Sequence, residues 1–290
     1  MRALILRPLC TVALVALGFL LLQSAMQGFT QREFQAAHDS RVVVFGDSHG
    51  NDVPLRGVPR FNRQAQDLVS TWLRMRALAE AQGPESQVEV VVLTLWPMKF
   101  GPLAEDRMSG AIQPDGWHQS VLGKAGPLLG LEDFLRAEWP WRLKWQLLLH
   151  SAQLESVRHM MGWVCRDGNL ADDYAAPLSD RVKHNDWFQD AHLSTWAFSA
   201  ILDLVEASGW QLVILENPLH PSYLELANQA SLEAYLDLMN TAAEAPHVHY
   251  LHMGWDTLPN SAFFDFHHLS CEGMAHVQSQ LDPLLEGLLD

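Results

Sequence analysis

The chain has 290 residues, 48% of them hydrophobic and 18% charged, with a formal net charge of −15. That length suits one large α/β domain or two small ones, and the apolar fraction with 11 tryptophans excludes a mainly disordered chain. The acidic balance argues against nucleic-acid binding, which needs a basic footprint, and three cysteines are too few for a disulfide scaffold.

At the N-terminus, Arg2 and Arg7 precede a stretch with no charged residue until Arg32, and its centre, Thr11 to Leu22, is almost wholly apolar. As a helix, Pro8 to Gln31 would be about 36 Å long, enough to cross a hydrocarbon core of roughly 30 Å. The leading arginines then stay cytoplasmic and everything after Arg32 lies on the far side. A cleaved signal peptide has the same layout, but Ser24-Ala25-Met26 is a poor cleavage site. The expectation is therefore an uncleaved anchor over residues 1–31, single-pass in the inner membrane, with a periplasmic or otherwise extracytoplasmic domain over 32–290. Cys10 lies at the start of the anchor and has no chemical role in this reading. Cys165 and Cys271 would sit in an oxidising space, either paired or as two buried thiols.

Gln31 to Ser40 reads as a short polar linker. Arg41 to Phe45 is a compact β-branched run with the look of a buried parallel strand. Asn62 to Ala81 has helical spacing, with Leu68, Trp72, Met75 and Leu78 on one side. Val88 to Leu95 is a second strand, Thr195 to Ala207 a helix, and Trp210 to Leu215 a third strand. Tyr223 to Ala243 has a long helical pattern, His247 to Leu251 is a shorter strand, and a helix from about Cys271 to Leu289 closes the chain. Strands alternating with helices imply an α/β fold with a mostly parallel sheet covered on both faces, and a ligand site beyond the carboxyl ends of the strands. Gly101 to Trp187 departs from that alternation. It holds Trp117, Trp139, Trp141, Trp145, Trp163 and Trp187, with a helical piece around Leu131 to Gly162. It reads as a helical insertion above the strand ends, its aromatics packing it onto the core, with stacking on sugar rings as the alternative.

The first strand runs into Gly46-Asp47-Ser48-His49-Gly50. A serine directly after a buried strand and flanked by glycines sits on a tight turn with its hydroxyl exposed, which suits a nucleophile whose neighbouring N–H groups face an oxyanion. Near the other end stands Phe264-Asp265-Phe266-His267-His268-Leu269-Ser270, followed by Gly273. The spacing of Asp265 and His268 lets the carboxylate orient an imidazole that deprotonates Ser48. His267 points elsewhere in most backbones and reads as structural, and Asp47 reads as a brace for the turn. Trp96, closing the second strand, and His220, in the Asn217-Pro218-Leu219-His220-Pro221 loop after the third, are candidate substrate contacts on the site-facing edge. For His220 a rigid proline-bounded loop is the plainer account.

These two segments resemble the SGNH/GDSL esterase superfamily, in which the nucleophile lies in a GDS block after the first strand and a late D-x-x-H block completes the triad. Gly46-Asp47-Ser48 matches the first, and Asp265 to Gly273 matches the second, including its H-L-S-x-x-G continuation. The resemblance implies a three-layer α/β/α sandwich of flavodoxin-like type, with Ser48, Asp265 and His268 catalytic and no cofactor or metal. The family's second block donates a glycine N–H to the oxyanion, for which Gly57 stands ready together with the N–H of Ser48. Its third block, G-x-N-D, is missing: the strand here ends Leu93-Thr94-Leu95-Trp96-Pro97-Met98, with no asparagine. That loss is similar to extracytoplasmic relatives that handle acyl groups on envelope polymers, such as the alginate O-acetylation and D-alanyl transfer proteins. By that likeness the expected activity is hydrolysis or transfer of an O-acyl group, O-acetyl above all, on an envelope glycan or small ester. A membrane acyltransferase would be the partner. Two other classes remain: a non-catalytic glycan-binding subunit, and a metallophosphoesterase, because Asp47-Ser48-His49-Gly50-Asn51 also looks like the D-x-H-G-N opening of that family. The second of these needs further G-D and G-N-H blocks that the chain lacks.

Overall fold

The computed structural model describes residues 34–35, 37–62, 66–82, 86–109, 128, 130–144, 165–168, 170, 192–225, 227–255 and 258–290. Four parallel strands, β1 (Val42–Phe45), β2 (Val90–Thr94), β3 (Gln211–Glu216) and β4 (Val248–His252), lie in that order in one sheet. Val42 pairs with Val90, Val90 with Gln211, and Leu212 with Val248. On the free side of β1, Val44 N–H donates to Pro59 O at 3.0 Å and Val44 O accepts from Phe61 N at 2.7 Å, so the 59–61 segment runs parallel beside it.

Alternating side chains send the sheet into two cores. Val43, Phe45, Val91, Leu93, Leu212 and Ile214 face a cluster completed by α1 (Leu68–Ala81), α4 (His192–Ser208) and α6 (Gln229–Ala242). Val42, Val44, Val90, Val92, Val213 and Leu215 face a second, closed by α7 (Cys271–Leu289). Burial on both faces is why the strands read as continuous apolar runs. The remaining short helices are α2 (Pro102–Ser109), α3 (Leu131–Leu135) and α5 (Pro221–Leu224).

Among the boundaries that differ from the sequence expectation, three have a clear physical cause. The first long helix begins at Leu68, because Asp67 caps it by accepting from Ser70 N–H at 2.7 Å. The pattern from Tyr223 to Ala243 is two helices, since Asn228 caps α6 through the N–H groups of Ala230 and Ser231. The 31–40 segment is not a polar linker throughout. Phe34 and Ala37 are buried, and Phe34 packs on Phe61 with centroids 4.9 Å apart. Those residues belong to the domain core.

Within 101–187, Trp139 is buried and meets Trp72 and Trp196 edge-on at 6.0 and 5.6 Å, the packing role expected of it. Trp141 is 58% exposed. Trp117, Trp145, Trp163 and Trp187 lie outside the described residues, as do most of the expected 131–162 helix and the N-terminal segment 1–31. Among the described residues no helix is long and apolar enough to cross a membrane. Cys165 and Cys271 form a disulfide, 106 residues apart in sequence, which resolves the pairing the sequence left open.

Candidate active site

The carboxyl ends of the parallel strands all open on one edge, and the site is built there. β1 leaves the sheet through Gly46, with φ 140°, where a Cβ would stand 1.9 Å from Thr94 Oγ1 at the end of β2. Glycine alone lets the two strand ends pass so closely. Ser48 then begins a 3-10 turn running to Asp52, capped by Asp47, whose Oδ1 accepts from His49 N–H at 3.0 Å. Arg60 clamps the far side of this turn by donating to the carbonyls of Val53 and Leu55, each at 2.6 Å.

The loop before α7 brings up the late block. Asp265 Oδ1 accepts from the N–H groups of His267 at 3.0 Å and His268 at 2.8 Å, which folds the loop around the carboxylate. Its Oδ2 is 2.9 Å from His268 Nδ1, and His268 Nε2 is 2.9 Å from Ser48 Oγ. Because a carboxylate only accepts, His268 carries its proton on Nδ1 and turns the Nε2 lone pair to the serine hydroxyl. Ser48, His268 and Asp265 are therefore one hydrogen-bonded series.

The electrostatics follow from that contact. Burial alone pushes the Asp265 carboxyl up, but the bond to His268 and the imidazoles of His267 and His268 hold it well below the usual carboxylate range. Burial lowers His268, yet its bond to Asp265 and the carboxylates of Asp52, Asp265 and Asp47 outweigh that and raise it above its ordinary value. Asp52, buried four residues after Ser48, accepts from Leu269 N–H at 3.1 Å and so ties the serine turn to the histidine loop. Burial pushes its carboxyl up to about 6 against the pull of His268 and His49.

Beneath the series lies a second carboxylate–imidazole pair. Asp47 is buried, with Oδ1 2.9 Å from His49 Nδ1 and Oδ2 taking Trp96 Nε1–H at 2.9 Å and Lys99 Nζ at 2.5 Å. Burial would raise Asp47, but Lys99 and His49 hold it well below the usual range. With both oxygens occupied, Asp47 has no open position for a metal, which removes the ligand role that the phosphoesterase reading gave it. Asp47 is the brace the sequence suggested.

Several expectations are corrected. His267 does not point away: its Nδ1 is 3.3 Å from His49 Nε2, and its ring lies parallel to Trp96 at 5.7 Å. Burial, then the neighbouring His268 and His49, lower its pKa, so it stays neutral. Trp96 is 4% exposed and serves as the wall behind His49 and His267, so it presents no face to substrate. His220 is also buried, with Nδ1 2.8 Å from Ser222 Oγ and Nε2 3.0 Å from Asn260 Oδ1. Both nitrogens are engaged and it caps α5, so it is structural. Gly57 occupies an exposed turn with φ 73°, where a Cβ would meet nothing within 4 Å. Lys99, Asp52 and Arg60 join the site with no local sequence motif that singles them out. Asn217, just beyond β3, donates from Nδ2 to His49 O at 3.2 Å, placing a side-chain amide against the serine turn where β2 provides none.

Fold and site together define an α/β protein with a serine–histidine–aspartate series at the carboxyl edge of a parallel sheet. A protein-family model matches residues 179–290, the part that carries β3, β4, Asp265 and His268. No curated protein matches the chain. A solved structure from Streptococcus pneumonia, provisionally described as a platelet activating factor, is similar over 95% of this chain and 98% of that one, with 11% identity and a TM-score of 0.43.

Proposed function

We propose that the chain is a serine-dependent acyl-ester hydrolase or O-acyltransferase of the SGNH/GDSL type. The reading rests on one observation: Ser48 Oγ and Asp265 Oδ2 each lie 2.9 Å from opposite nitrogens of His268. Ser48 Oγ attacks the ester carbonyl carbon while His268 Nε2 takes the hydroxyl proton, and Asp265 stabilises the imidazolium that forms. The tetrahedral intermediate collapses, the C–O bond to the alcohol breaks, and His268 returns the proton to the leaving oxygen. Water or a sugar hydroxyl then attacks the acyl-serine through the same imidazole. In this reading the N–H of Ser48, at the start of the turn after Asp47, is the oxyanion donor.

The strand positions support this reading. Counting the 59–61 segment as a second strand, the spatial order is 2-1-3-4-5, the flavodoxin-like order, with helices on both faces as in a three-layer sandwich. The substrate class, an O-acyl group on an envelope glycan, and a membrane acyltransferase partner come from the family resemblance. An extracytoplasmic place, with residues 1–31 as anchor, is supported by the arginine-flanked apolar run and by the Cys165–Cys271 disulfide, which suits an oxidising compartment. The decisive test is labelling of the purified protein by an active-serine phosphonate, with turnover of aryl acetates. Both are expected in the native protein and lost in Ser48→Ala; absence of both from the native protein sinks the proposal.

A further inference from the structure

We propose that His49, His267 and His268 form a binding site for a divalent transition-metal ion of the zinc class, and that the bound ion holds Ser48 inactive. The second half rests on the serine chemistry proposed above; the first half does not. Each of the three imidazoles offers one nitrogen, and these atoms all lie within 4.8 Å of one another. His49 Nε2 and His267 Nδ1 are already 3.3 Å apart. Zinc–nitrogen bonds of about 2.0–2.1 Å in a tetrahedron set their ligands roughly 3.3–3.4 Å apart, so this pair stands at ligand spacing and the third imidazole needs only a short swing.

The surroundings of the rings favour an ion over a simple histidine contact. Asp47 holds His49 through Nδ1 and Asp265 holds His268 through Nδ1, each at 2.9 Å, which leaves both Nε2 lone pairs clear of the carboxylates, that of His49 facing His267 and that of His268 facing Ser48. A carboxylate behind a histidine is the usual outer partner of a metal-bound imidazole, fixing its tautomer and raising its basicity. Trp96 backs the His267 ring and restricts its rotation. The Lys99 charge is matched by Asp47 at 2.5 Å, which leaves the Asp52 and Asp265 carboxylates to balance a dication. Three neutral imidazoles with one open position suit zinc and its neighbours in the first row, and are poor ligands for magnesium or calcium. The lone pair that His268 would give the ion is the one it needs to deprotonate Ser48. The ion is therefore an inhibitor of this site and no part of its reaction.

The test uses the full-length protein carrying Ser48→Ala, stripped with chelator and titrated with Co²⁺ and then Zn²⁺. One Co²⁺ per chain is expected, with the intense visible absorption of a tetrahedral nitrogen site and three cobalt-shifted imidazole N–H resonances, all displaced by Zn²⁺. Adding His267→Asn should weaken binding more than tenfold, with retention of fold checked by thermal melting. A weak octahedral cobalt spectrum, or fewer than three shifted imidazoles, overturns the site whether or not His267→Asn folds. Because these readouts come from a protein that lacks the serine, they stand apart from the esterase proposal. In the native protein, Zn²⁺ should lower aryl-acetate turnover at least tenfold and chelator should restore it. Tight Zn²⁺ binding with unchanged turnover overturns the inhibitory role, and a stripped native protein with no serine reactivity overturns the esterase reading while the metal site remains.

Discussion

Cys271, bonded to Cys165, lies three residues beyond His268 and begins the helix that follows the histidine loop. The 165–168 segment is laid against that loop: Arg166 O accepts from Cys271 N–H at 2.8 Å, and a Cβ on Gly168 would stand 2.1 Å from Ser261 O. The disulfide therefore closes a long loop and anchors the segment that carries His268. Disulfides typically contribute about 2–4 kcal/mol, with a chain-entropy limit of about 5 kcal/mol for a loop of this length. Reduction, or Cys271→Ala, is expected to lower the thermal midpoint by roughly 5–15 °C. An unchanged midpoint on adding reductant would show that the cross-link contributes nothing to the fold.

Activity should depend on the three members of the series as a unit. Ser48→Ala and His268→Ala are each expected to lower kcat by about 10⁴–10⁶, and the double variant by no more than either alone. Asp265→Asn should cost about 10⁴, because the amide leaves His268 without an acceptor for Nδ1–H. Steady-state turnover of an aryl acetate checks all four proteins, and additive losses would argue against a shared mechanism.

The pH dependence has a definite sign. His268 must be neutral to accept the Ser48 proton, and its pKa is raised above 6.5. Turnover measured in chelator should accordingly rise with pH through a midpoint above that value and level off in the alkaline range. Asp52 is one of the carboxylates that raise His268, so Asp52→Asn should move the acidic limb to lower pH. A limb that stays in place would remove Asp52 from the electrostatics of the site.

The buried Lys99–Asp47 pair should reveal itself in stability. Lys99→Met leaves the Asp47 carboxylate buried without its cation and is expected to cost about 3–5 kcal/mol in urea unfolding, while Asp47→Asn with Lys99→Met should recover part of that. The depressed Asp47 pKa contributes stability that is present above the ordinary carboxylate range and lost as pH falls through the folded value. The double variant should thus show a shallower loss of stability in acid.

Two glycines with positive φ should respond differently to alanine. Gly46→Ala places a Cβ 1.9 Å from Thr94 Oγ1, so strain and overpacking add to several kcal/mol and the serine turn is displaced. At Gly57, with φ 73°, a Cβ would meet nothing within 4 Å, and only the backbone cost of about 1–2 kcal/mol is expected. Equal losses in paired melting curves would contradict the close approach of β1 and β2.

The sequence by itself determined the four strands, since a strand buried on both faces has no polar side and must read as an unbroken apolar run. It also determined the three members of the series: a serine after a strand and glycine, and an aspartate three before a histidine, are local patterns. Helix starts were less legible, because Asp67 and Asn228 act as caps only once the following N–H groups turn toward them. Tertiary structure alone decided the roles of His267, His49, Lys99 and Asp52. His267 faces His49 across 218 residues of chain because Asp265 gathers the N–H groups of both His267 and His268 and so sets which way each ring leaves the loop. Lys99 reaches Asp47 because β1 and β2 pair in a register that brings Phe45 beside Leu93, setting the two strand ends side by side. Spacing along a chain states what two residues can do together when they are close. Closeness itself is a property of register, of backbone dihedrals such as that of Gly46, and of where a disulfide holds a loop, and these are settled by packing.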